Sequence, residues 1–147
     1  MITAVVGSRT ISNYSLIQEV LDSHIITSVV SGGADGVDTI AENYSYRRLK
    51  KSPIVFYPEY SKYGRSATHI RNTEIVDSSQ KVIGFWDGKS RGTVDTIKYS
   101  SRKKKSLHVY LCLSFFLFFP VSSYTFFTSC WWSVYPFNIT EKFRKEY

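Results

Sequence analysis

Cysteine is scarce in this chain. Cys112 and Cys130 are the only two among 147 residues, and neither sits in a C-x-x-C pair or at ligand spacing from a histidine. His24, His69 and His108 are scattered singly. No metal site is expected, and a chain of this length can bury a sufficient core without disulfides or metals. The first seven residues pass straight into strand-like sequence. They lack the basic region, long apolar core and cleavage site of a signal peptide, so a cytoplasmic chain is expected. The N-x-S/T patterns at Asn13, Asn43 and Asn138 then read as chance matches. No repeat at a solenoid period is present. The most conspicuous absence is of charge: from Ser106 to Thr140 there is no Asp, Glu, Lys or Arg.

What charge there is lies earlier. The formal net charge is +7, and sixteen of the nineteen basic residues, with ten of the twelve acidic ones, precede residue 107. The basic surplus favours anionic partners without separating nucleotides from nucleic acid or acidic lipid.

Strand-like and helix-like segments alternate through the same region, which predicts an α/β fold, a Rossmann-like three-layer sandwich with a mainly parallel sheet. Thr3 to Val6 reads as the first strand. Leu16, Ile17, Val20 and Leu21 then share a helical face behind Ser12 or Asn13 as cap. Further strands are read at Ser28–Val30, Ile54–Tyr57, Val82–Trp86 and Leu107–Leu113. Helices are expected from Val37 to the basic cluster Arg47, Arg48, Lys50 and Lys51, after a polar loop over Glu59–Ala67, and from Thr93 to about Arg102. One domain over residues 1–113 is expected, followed by a hydrophobic, aromatic-rich tail over 114–147.

In an open parallel sheet the ligand crevice lies beyond the carboxyl ends of the strands. Three loops rich in glycine, hydroxyl and basic residues fall there: Gly7-Ser8-Arg9, Ser31-Gly32-Gly33-Ala34-Asp35-Gly36-Val37-Asp38, and Asp87 to Thr93. The second reads as strand, glycine turn and helix start. Glycines let backbone approach a ligand, and the free N–H groups of a helix start attract phosphate.

Two familiar phosphate patterns fail here. Gly32-Gly33-Ala34-Asp35-Gly36 is not G-x-G-x-x-G. Gly84-Phe85-Trp86-Asp87-Gly88-Lys89-Ser90 has only three residues between its glycines where the P-loop needs four, and Gly84 falls within a strand.

Individual roles follow from chemistry. Ser8 and Arg9 can hold a phosphate or ribose, the alternative for Arg9 being a surface ion pair. Asp38 either complements the helix start or binds a ribose hydroxyl, and Asp35 is equally open. Arg71 and Asn72, expected at a helix start, can close over a ligand. Trp86 either stacks on a base or packs at the rim of the core. Ser90, Arg91, Gly92 and Thr93 open the last helix with groups suited to a second phosphate contact.

The combination of Val5-Val6-Gly7-Ser8-Arg9, the Val30–Asp38 segment, Pro58-Glu59-Tyr60, Ile70-Arg71-Asn72 and Phe85 to Thr93 resembles the SLOG superfamily. Within it, the likeness is to the small bacterial and phage group described as YspA-like or DUF2493, related to DprA/Smf and to LOG-type lysine-decarboxylase-like proteins. It covers about residues 1–113. The resemblance implies a Rossmann-like sandwich that binds nucleotides, nucleotide-derived signals or, in the DprA branch, single-stranded DNA. Ser66-Ala67-Thr68 departs from the Ala-Gly expected before Arg-Asn. LOG proteins carry a glutamate where this chain has Thr96, and a hydroxyl cannot stabilise a ribosyl cation as a carboxylate does. Glu59 is the remaining, weak candidate for a catalytic carboxylate.

Three functions stay open: a binder of a nucleotide or ADP-ribose-like ligand acting as sensor, sequestering agent or regulator, a nucleotide-processing N-glycosidase-like enzyme, and a single-stranded DNA binder. A homo-oligomer is compatible with each. For the tail, three readings also stand. Residues 107–135 form a membrane association, with Arg102-Lys103-Lys104-Lys105 on the cytoplasmic side; or the tail packs on the domain or a partner; or it derives from an altered reading frame.

Overall fold

The computed structural model describes residues 1–112. The expectations for Leu113 and for the tail lie outside these residues. Among the described residues no helix is long and apolar enough to cross a membrane.

Five strands form one parallel sheet: β1 (Ile2–Gly7), β2 (Ser28–Ser31), β3 (Ile54–Val55), β4 (Lys81–Trp86) and β5 (Ser106–Leu111), in the order β3-β2-β1-β4-β5. The chain runs outward from β1 to β3, then returns to the other side of β1. The strand order therefore reverses between β1 and β4, and the helices that follow them, α1 (Tyr14–Asp22) and α5 (Arg91–Arg102), pack on opposite faces of the sheet.

The strand residues alternate between two cores. Val5, Val29, Ile83 and Phe85 face α1 (Tyr14–Asp22) and α2 (Val37–Tyr44). Ala4, Val6, Val30, Val82 and Val109 face the opposite side, with Ile75 and Val76 of α4 (Ala67–Asp77) and Ile97 of α5 (Arg91–Arg102). Both faces of β1 and β4 are covered, which is why their interiors read as unbroken apolar runs. Ile17, Leu21, Ile75, Ile83, Phe85 and Ile97 are all fully buried, and each contributes roughly 1.5–3 kcal/mol by leaving water.

Local chemistry sets the ends of these elements. The Leu16 N–H donates to Asn13 Oδ1 at 3.1 Å, so Asn13 rather than Ser12 starts α1. α2 passes into a wider turn over Ser45–Leu49 and stops at Lys50, whose φ is 54°. There Arg48 pairs with Asp22 of α1 at 2.6 Å, and Tyr44 donates to the same carboxylate. The loop expected over Glu59–Ala67 instead contains a short α3 (Tyr60–Tyr63) and a single tighter turn, Gly64–Ser66. Strand β3, Ile54–Val55, is shorter than expected; the Phe56 N–H still donates to the Ser31 carbonyl at 3.1 Å, and Pro58 follows without an N–H to extend the pairing. Gly84 pairs with Val6 inside β4. A phosphate-cradling turn cannot start there, in agreement with the rejection of the P-loop.

Candidate functional site at the carboxyl edge of the sheet

All strands being parallel, every loop that follows a strand emerges on one edge. Two side-chain hubs organise that edge, one at the strand-order reversal and one beyond β2.

The first hub is Asp87, directly after β4. Its Oδ1 accepts the N–H groups of Lys89 at 2.9 Å and Ser90 at 2.8 Å, and its Oδ2 accepts the Thr10 hydroxyl at 2.9 Å. Its own N–H donates to Ser8 Oγ at 3.2 Å. Partial burial opposes ionisation, but these donors outweigh it and bring the Asp87 carboxyl down to about 2. Asp87 thus fastens the β1 loop to the β4 loop, and both of its oxygens are engaged within the protein. Ser90 and Thr93 share a hydroxyl–hydroxyl hydrogen bond of 2.9 Å at the start of α5, while Arg91 and Gly92 are exposed.

The second hub is Asp38, in the first turn of α2. Its Oδ2 accepts the N–H of Gly32 at 3.1 Å and that of Ala34 at 3.4 Å, folding the glycine loop back onto the helix. From the other face of the sheet Arg71 reaches over the end of β2 and places Nη1 3.6 Å from the same oxygen. Both side chains are almost completely buried, 6% exposed for Asp38 and 9% for Arg71. Burial raises the Asp38 carboxyl to about 6, against the opposing pull of Arg71 and the two backbone donors. Burial likewise lowers Arg71 from its ordinary value, and the charge of Arg9 acts in the same direction.

Gly32 makes this crossing possible. A Cβ on it would lie 1.4 Å from Arg71 Nη1 and 2.9 Å from Asp38 Oδ2. Gly36 is needed for a different reason: its φ is 77°, and an added Cβ would lie 2.6 Å from the Arg9 carbonyl oxygen. The Arg9 backbone is therefore pressed against the start of α2, and its exposed side chain stands at the same edge as Arg71.

Arg71 is the chemically unfinished group of the site. Its Nε is buried without a hydrogen-bond partner. The Asp38 contact, at 3.6 Å, is an ionic approach beyond hydrogen-bond distance. A guanidinium offers five N–H donors in a fork suited to phosphate or carboxylate. A buried donor without an acceptor costs roughly 1–3 kcal/mol.

The structure thus gathers Gly7, Ser8 and Arg9 with Asp87, Ser90 and Thr93, and joins Ser31 through Asp38 to Arg71. Arg71 and Asn72 lie in the second turn of α4 rather than at its start, because the helix already begins at Ala67. Asp35 is exposed. Glu59 is also exposed, with Lys62 3.9 Å away across one turn. The Trp86 indole N–H donates to the Ser90 carbonyl at 3.2 Å, and its ring packs against the α4/α5 core. Thr96 is buried and donates to the Gly92 carbonyl at 2.9 Å.

Three participants are additional to those singled out in the sequence: Thr10, Glu42 and Tyr57. Glu42 lies one helical turn beyond Asp38 and accepts the Ser31 hydroxyl, whose oxygen in turn accepts the Gly33 N–H at 3.4 Å. The i, i+4 spacing of Asp38 and Glu42 was its available signal. Among the described residues no group of three or more His, Cys, Asp or Glu side chains could hold a metal ion. The Cys112 thiol is pushed up to about 11, by burial first and by the Asp87 charge second, and is a poor nucleophile there.

No protein-family model, no curated protein and no solved structure matches the chain.

Proposed function

We propose that the carboxyl edge of the sheet binds the phosphate of a nucleotide or of a nucleotide-derived, ADP-ribose-like ligand, and that the protein acts as a sensor, sequestering agent or regulator through that binding. The observation that carries this reading is the Arg71 guanidinium: nine-tenths buried, seated against Gly32, with Nε lacking an acceptor. A phosphate oxygen supplies the missing acceptor and compensates the buried positive charge. Arg9, the start of α2 and the Ser90–Thr93 pair add donors and favourable potential on the same edge. The order of motifs along the chain, in its resemblance to the SLOG superfamily, supports the same ligand class.

Holding is favoured over cutting by the environment of the carboxylates. Asp87 is engaged by three internal donors, Thr96 stands buried where the LOG-type glutamate would be, and Glu59 points to solvent beside Lys62. The test is thermal unfolding of the full-length chain with AMP, ADP-ribose or ribose 5-phosphate. Saturable stabilisation, approaching about 2.7 kcal/mol at a hundredfold excess over Kd, is expected for at least one of them, with no conversion of the ligand. Unchanged unfolding with all three would refute it.

A further inference from the structure

Tyr57 and Tyr60 stand beside the Arg71 site with their rings in solvent, 66% and 59% exposed. An aromatic ring exposed beside a buried cation offers a face on which a planar ligand group can stack. Their placement is fixed by the backbone around them. The Tyr57 ring lies over Gly33, so closely that a Cβ there would stand 2.5 Å from Cε1 and 3.0 Å from Cδ1. The Tyr60 hydroxyl shares a hydrogen bond of 3.1 Å with Thr68 of α4, the helix that carries Arg71.

Consecutive residues thus touch the two kinds of group. Gly32 touches the guanidinium and Gly33 touches the aromatic ring, with Cα atoms about 3.8 Å apart across a trans peptide. A nucleoside phosphate carries both an anionic group for the guanidinium and a planar base for the ring. Trp86, another aromatic side chain at this edge, has its indole N–H on Ser90 and its ring against the core.

We infer that Tyr57 is the nucleobase platform of this site, with Tyr60 closing its rim. The ligand class is then a purine or pyrimidine nucleoside phosphate rather than a bare sugar phosphate. This assignment rests on the phosphate site proposed above. Stacking on a π face is tolerant of base identity, so the platform selects for a base without selecting which one.

The test compares AMP with ribose 5-phosphate on the full-length protein by isothermal titration calorimetry, for the wild type, Tyr57→Ala, Tyr57→Phe and Tyr57→Trp. AMP is expected to bind more tightly than ribose 5-phosphate to the wild type. Tyr57→Ala is expected to weaken AMP about 5- to 150-fold, the range for loss of one base–aromatic stack, and to leave ribose 5-phosphate unchanged. The Phe and Trp variants are expected to keep the wild-type preference. Equal affinity of the wild type for both ligands would overturn the platform while leaving the phosphate site standing. So would a Tyr57→Ala variant that loses neither ligand, or loses both alike. Failure of both ligands to bind the wild type would overturn the phosphate site and the platform together.

Discussion

Asp38 and Arg71 start from helices on opposite faces of the sheet and meet over Gly32, 3.6 Å apart and almost wholly buried. The pair closes the carboxyl end of β2 and holds a cation among glycine backbone. Its geometry makes the glycine loop, the start of α2 and the second turn of α4 one mechanical unit.

Gly32→Ala tests that unit. The added methyl would occupy the space of Nη1, with Asp38 Oδ2 2.9 Å behind it, so the guanidinium must leave. The expected outcome is a loss of roughly 1–3 kcal/mol in urea unfolding, the usual cost of overpacking a filled site, together with loss of phosphate binding. Wild-type stability and wild-type binding in this variant would show that Arg71 does not pass over Gly32.

The two aspartates should give stability profiles of opposite sign. Asp38 is raised to about 6 in the fold against 3.8 ordinarily, so the folded protein holds that proton more tightly than the unfolded chain. Its contribution is fully present below about pH 4 and is lost as pH rises through 6, on the order of 3 kcal/mol at 1.36 kcal/mol per pKa unit. Asp87, brought down to about 2, contributes above about pH 4 and loses that contribution as pH falls through 2. Urea unfolding from pH 2 to pH 7 is expected to show a flatter slope between pH 4 and 6 in Asp38→Asn, and a flatter slope below pH 4 in Asp87→Asn. Slopes unaltered by either substitution would contradict the assignment.

Asp38→Asn has a second consequence. Asparagine keeps an oxygen to accept the Gly32 and Ala34 N–H groups but removes the negative charge beside Arg71. Removing a charge a few ångströms from a bound anion is worth about 1 kcal/mol or more at intermediate dielectric, so ribose 5-phosphate is expected to bind roughly fivefold more tightly at pH 7. Weaker binding in calorimetry would mean that Asp38 itself contacts the ligand, as a ribose-binding role requires.

The sheet was legible in the sequence because its strands are short, mostly apolar runs such as Thr3–Val6 and Val82–Trp86, separated by helical periodicity. The gathering of Gly7, Ser8, Arg9 and the Gly32–Asp38 loop at one edge followed from parallel connectivity alone. What local pattern could not convey was direction across the sheet. Arg71 read as a residue at a helix start, yet it acts from the second turn and across the edge onto Asp38. Trp86 and Tyr57 both close or follow a strand, and only packing separates the ring turned into the core from the ring left in solvent. Asp87 read as part of a ligand loop, whereas its oxygens hold that loop together.

The proposed binding of phosphate by Arg71 is tested by calorimetry of the full-length protein with AMP before and after Arg71→Gln. Saturable binding to the wild type is expected, with a loss of about 10- to 150-fold in the variant as charge-assisted hydrogen bonds worth roughly 1.5–3 kcal/mol disappear. Circular dichroism of the variant establishes that it is folded. A folded Arg71→Gln protein that binds AMP as the wild type does would contradict the account.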